Sequence, residues 1–154
     1  MKTRNLLLAG FVCLFAVAMY AADNPNMGTW KLNEAKSKIP AGTTKNTTVV
    51  YSADGDNIKV TTDGVDGKGE SAHSEWVGKF DGKDYPVTGG AAGTTRSYKV
   101  INDRKMELIN KVNGKENIHG TIEVAKDGKS RVVDLEGTNA DGKKVKSKGV
   151  YDKE

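Results

Sequence analysis

KMELINKVNGKENIHGTIEVA, residues 105–125, is two alternating runs joined by Asn113-Gly114. In the first run Met106, Leu108 and Val112 fall on one side, with Lys105, Glu107 and Lys111 on the other. In the second, Ile118, Gly120, Ile122 and Val124 share a side, opposite His119, Thr121 and Glu123. A period of two is that of a strand with one face in a core and the other in water. Asn-Gly tolerates the positive φ that a tight hairpin turn requires, so the stretch predicts two antiparallel strands.

The same punctuation recurs along the chain, at Asp54-Gly55, Asp63-Gly64, Asp66-Gly67, Asp81-Gly82, Asp127-Gly128 and Asp141-Gly142. Strands are predicted over 27–33, 46–53, 57–62, 70–79, 84–88, 94–102, 105–113, 116–125, 130–138 and 143–152. Late in the chain the turns at Asn113, Asp127 and Asp141 fall 14 residues apart, one strand plus one turn, which marks a meander rather than a duplication. No stretch sustains a helical period over three turns. Residues 33–38 predict a single helical turn capped by Asn33.

The fold class is therefore all-β: an up-and-down antiparallel meander of about 8–10 strands. Closing it into a barrel removes the exposed edges, and a two-sheet sandwich is the alternative. Successive connections in a meander alternate between ends. The first, third and fifth, residues 34–45, 63–69 and 89–93, are long and fall together, which predicts a loop-ringed mouth. The second, fourth, sixth and eighth are expected to be short and to form a tight bottom.

Residues 1–22 read as a cleaved signal peptide and 23–154 as a single β-barrel domain. Lys2 and Arg4 precede an apolar run, Leu6 to Met19, that is short for a membrane span, and small Ala21 and Ala22 follow. The expected location is exported, periplasmic or extracellular in a bacterium. Cys13, the only cysteine, lies inside the leader, so the domain must fold without disulfides. Without Lys2 and Arg4, the 24 basic residues fall to 22 against 20 acids, a net charge of +2. The two signs are interspersed, which argues against a nucleic-acid partner. No transmembrane segment is expected after leader removal, and a monomer is expected.

Gly28-Thr29-Trp30-Lys31-Leu32 resembles the Gly-x-Trp opening of the first strand in lipocalins and fatty-acid-binding proteins, the calycin superfamily. Gly149-Val150-Tyr151-Asp152-Lys153 is similar to the last strand of fatty-acid-binding proteins. The chain beyond the leader resembles small secreted bacterial lipocalin-like proteins in which Gly-Thr-Trp-Lys-Leu-Asn precedes Ala-Lys-Ser-Lys. The resemblance implies a calycin-like barrel rather than an activity. Two family features are missing. The Arg that fatty-acid-binding proteins place two residues before the closing Tyr is here Gly149, and 34–45 is too short for their helical lid. Lipocalins often lay an Arg from a late strand over the first-strand Trp. The late basic residues Lys144, Lys146 and Lys148 fall on an outward face and are not expected to supply it.

The candidate ligand-binding residues are Arg96, Tyr98, Trp76, Tyr51, Trp30, Tyr151 and Arg131. The five aromatic residues predict an interior that is either a pocket for an apolar or flat ligand or a filled core. Arg96 shares parity with Tyr98, near the wide end, and Arg131 with Val133 and Leu135, near the bottom. Either could await an anion. The competing expectation is that both sit at strand ends and snorkel to water or pair with a local acid.

His73 and His119 fall on outward faces, and two histidines without a cysteine make no metal centre, so neither metal nor cofactor is expected. No catalytic residue is assigned, because no Gly-x-Ser-x-Gly or His-Glu-x-x-His pattern occurs. The leading function is thus an exported, non-catalytic barrel holding a small apolar or amphiphilic molecule. The alternatives are a filled-barrel envelope structural or interaction protein, or an enzyme with an unrecognised site.

Overall fold

The computed structural model describes residues 24–139 and 141–154; the proposed leader lies outside them. Ten strands follow in chain order: β1 (Gly28–Leu32), β2 (Lys45–Asp54), β3 (Asn57–Val65), β4 (Ser71–Gly78), β5 (Tyr85–Thr88), β6 (Thr94–Asn102), β7 (Lys105–Val112), β8 (Lys115–Val124), β9 (Ser130–Thr138) and β10 (Lys144–Lys153). Each pairs antiparallel with its neighbours in sequence, and β1 closes the barrel against β10. All ten predicted strands are present. The predicted turn after β1 is a 3-10 turn over Glu34–Lys36, with the Asn33 side chain accepting from the Lys36 amide.

Asn113 and Gly114 form the two-residue link between β7 and β8, both with positive φ, 51° and 78°. That pair of values is the turn whose twist matches the strands it joins. Of the seven Asp-Gly and Asn-Gly pairs, five place a positive-φ glycine in a connection.

Asp63-Gly64 does not turn. It continues β3, opposite a bulge in β2 between Asn46 and Thr48. A Cβ at Gly64 would lie 2.0 Å from the Lys45 carbonyl oxygen, so glycine is required there by the close approach of a neighbouring backbone. At Asp66-Gly67 the positive φ falls later, at Gly69.

The first, third and fifth connections do gather at one end, around an open mouth. The opposite end departs from the expectation of tight turns. The fourth connection, residues 79–84, is not a short turn, and its Phe80 packs against the core. Phe80 lies 6.2 Å from Trp76 in a stacked pair and 5.5 Å from Tyr98. Trp76 also meets Tyr98 edge-on at 4.8 Å and Tyr85 at 5.6 Å. Gly78 makes room for this cluster, since a Cβ there would fall 2.6 Å from the Tyr85 ring and 2.7 Å from Trp76.

Trp30, Val60, Met106 and Val124 complete the plug, all essentially without solvent contact. Beneath it, the segment before β1 is tied on by the Trp30 indole, whose Nε1 donates to the Asn26 carbonyl at 2.8 Å. The outer face carries ion pairs such as Lys59–Glu75 at 2.8 Å and Lys105–Glu123 at 3.1 Å. Lys144, Lys146 and Lys148 are exposed there, as parity requires. Among the described residues no helix is long and apolar enough to cross a membrane.

Candidate ligand-binding site

Above the plug the barrel is open. A cavity of about 650 Å³ runs from the mouth loops down to Tyr51, Tyr98 and Arg131, within the range of small-molecule sites. The strands create it by carrying smaller inward residues toward the mouth. On β4, Trp76 is followed mouthward by Ser74 and Ala72; on β10, Tyr151 by Gly149 and Ser147.

The walls are chemically unequal. β8 and β9 contribute Ile118, Ile122, Val133 and Leu135. Across the ring, β3 and β4 contribute Thr62 and Ser74, whose hydroxyls are hydrogen-bonded at 2.7 Å. The cavity is therefore aliphatic on one side and hydroxylated on the other, which suits an amphiphile better than a pure hydrocarbon.

Two buried guanidinium groups line it. Arg96 stands higher on β6. Its Nε donates to Asn110 Oδ1 at 2.7 Å and its Nη1 to the Tyr98 hydroxyl at 3.3 Å. Arg131 lies deeper and is only 2% exposed. Its Cζ sits 4.6 Å from the centre of the Trp30 ring, 4.9 Å from Tyr51 and 5.2 Å from Tyr151. Its Nε and Nη1 have no hydrogen-bond partner among the described residues.

Neither arginine snorkels, and neither meets a carboxylate. β9 starts at the bottom of the barrel, so Arg131 begins below the cavity floor. Three electron-rich ring faces hold its head inside. Arg96 is occupied by a neutral amide and a phenol instead of an acid. Among the described residues Arg96 and Arg131 are the buried charged side chains. Among the described residues the one carboxylate lining the cavity is Asp66, at the rim. Backbone amide bonds from Glu70 and Lys68 hold it below the usual carboxylate range. Burial, then the nearby Tyr98 hydroxyl, push the Tyr51 phenol upward, and Arg131 opposes them. Burial likewise raises Tyr151, whose hydroxyl donates to the Asn46 carbonyl at 2.9 Å. Both phenols are neutral at physiological pH.

Of the residues singled out from sequence, Arg96, Tyr98, Tyr51, Tyr151 and Arg131 converge on the cavity. Trp30 and Trp76 lie in the plug beneath it, where the Trp76 Nε1 donates to the Arg96 carbonyl at 2.9 Å. Thr62, Ser74 and Asn110 were missed, although parity with Val60, Trp76 and Leu108 points each of them inward. The arginine over the first-strand tryptophan is present and comes from β9 rather than β10. Lys153 of β10 does approach the same ring, with Nζ 5.1 Å from its centre.

His73 and His119 are on the outer wall. His73 Nδ1 lies 2.6 Å from Asp63, and His119 Nε2 3.1 Å from Glu107. Among the described residues no three His, Cys, Asp or Glu side chains gather as metal ligands.

Fold and cavity together define a class, a closed ten-strand meander barrel with a plugged end and a polar-apolar pocket opening at the other. Compared with known proteins, the chain matches no family model and no curated protein.

Proposed function

We propose that this protein is an exported, non-catalytic, lipocalin-like barrel that binds one small apolar or amphiphilic molecule through its loop-ringed mouth. The cavity carries this reading. A barrel built only as a structural block would have its strands filled to the top by large side chains, as its lower half is. Here upper positions on β4 and β10 are the small Ala72, Ser74 and Ser147, which leave the space open. Arg131 over Trp30 supports the lipocalin likeness, and the apolar run 6–19 behind Lys2 and Arg4 supports export and a mature domain from residue 23.

The reading is tested by native mass spectrometry of protein purified from its own host, with extraction of whatever co-purifies. A stoichiometric small molecule, or one-to-one uptake of a hydrophobic fluorescent probe, is expected. A clean apo mass with no probe uptake would instead favour an interaction protein acting through its outer surface. The exposed Val100 and Ile101 of β6 would then be the place to search. Cell fractionation that left the protein in the cytoplasm would end the export component.

A further inference from the structure

Resting on that binding role, we propose that the ligand is a monoanionic amphiphile that enters head-first, its carboxylate descending past Arg96 to the floor formed by Arg131, Tyr51 and Tyr98. Among the described residues the cavity interior carries two guanidinium charges and no carboxylate below the rim. Arg96 is partly satisfied by Asn110 and Tyr98. Arg131 has ring faces around it and two nitrogens with no acceptor. Ring faces stabilise a cation but do not accept its N–H groups in the way an oxygen does, so the charge is incompletely compensated. An anion on the floor would offset that charge.

The two cations are linked through one aromatic pair. Arg131 stacks on Tyr51, Tyr51 meets Tyr98 edge-on at 6.2 Å, and Tyr98 accepts from Arg96. The Tyr98 hydroxyl thus accepts from Arg96 and lies beside the Tyr51 hydroxyl. The apolar body of such a ligand would then lie against Ile118, Ile122, Val133 and Leu135, with its tail toward the mouth. The head-first orientation follows from depth: the less satisfied cation is at the floor, and no carboxylate lies beside it.

The test compares a fluorescent C18 polyene carboxylic acid with its own methyl ester, which keeps the shape and removes the charge. The acid should bind at least about tenfold more tightly. Arg131→Met should cut the acid-to-ester affinity ratio at least several-fold, whatever it does to the two affinities together. If that variant fails to fold, Arg131→Lys keeps a charge but loses the planar fork. It should lower the acid-to-ester affinity ratio by a smaller factor. Equal binding of acid and ester by the wild type would overturn the anion inference and leave the binding role standing. Failure of both to bind would overturn the two together. An acid preference undiminished in the Arg131 variant that folds would remove Arg131 from the site.

Discussion

β4 and β10 each pass from a large ring at the plugged end to small side chains at the mouth. Trp76 gives way to Ser74 and Ala72, and Tyr151 to Gly149 and Ser147. β9 does the same, from Arg131 through Leu135 to Gly137. The antiparallel meander runs through both halves. What differs is inward side-chain volume, which closes the barrel in one half and opens it in the other. The pocket is therefore written into the strands themselves, and the mouth loops only surround it. The plugged half supplies packing energy, and the open half leaves part of that energy unused in exchange for space.

The largest test of this contrast is to delete a ring from the plug. Trp76→Ala should cost about 3–5 kcal/mol in denaturant unfolding, because its three aromatic partners, Phe80, Tyr85 and Tyr98, cannot collapse into the hole. Ile118→Ala on the cavity wall should cost only about 1 kcal/mol, since one side of that residue already faces open space. Equal losses would mean that the two halves are packed alike.

Gly78→Ala sharpens the same point by overfilling the plug. Its methyl would meet Tyr85 and Trp76 inside contact distance. A loss of about 1–3 kcal/mol is expected, and an unchanged midpoint would show that the cluster yields freely.

Trp30→Phe keeps most of the ring volume and removes the donor to Asn26. About 1 kcal/mol should be lost, with earlier proteolytic cutting near residue 26. No change in the cutting pattern would show that this segment is held by other contacts.

The smallest effect lies on the outer wall. The Asp63 hydrogen bond holds the His73 imidazole above its ordinary value of 6.5. A raised value means the pair's contribution is fully present below pH 6.5 and is lost as pH rises through the folded-state value. Proton NMR of His73 should show the raised titration in the wild type and a fall toward the ordinary value in Asp63→Asn. The pair is exposed, so thermal stability should change little across that window. A large change would move the outer wall into the ranks of the plug.

How much could be read from the chain alone follows from how local each cause is. Asn113-Gly114 states its turn within two residues, and alternation states its strands within eight or ten. The barrel, the mouth and the inward aromatic residues follow from these. Gly64 was misread because its reason is the backbone of Lys45, a neighbour known only once β2 and β3 are in register. Phe80 was missed because a plug borne on a connection leaves no periodic trace. Arg131 was placed on the right face and given the wrong surroundings. Its side chain lies among Trp30, Tyr51 and Tyr151, which come from three strands, two of them at the seam where the chain's beginning meets its end. Thr62, Ser74 and Asn110 were legible by parity. They were passed over because only aromatic and cationic side chains were weighed as ligand contacts.

The seam has a consequence in time. β1 pairs with β10 over Trp30–Lys153, Lys31–Asp152 and Leu32–Tyr151, so the partner of the first strand to be synthesised is the last. Hairpins such as β7–β8 can form as they emerge. Until the final dozen residues are available, however, β1 and β9 each present an unpaired edge. A chain cut short before Lys144 would have no sealed interior at all. Loss of the C-terminus should therefore behave as an aggregation lesion rather than as a trimmed tail.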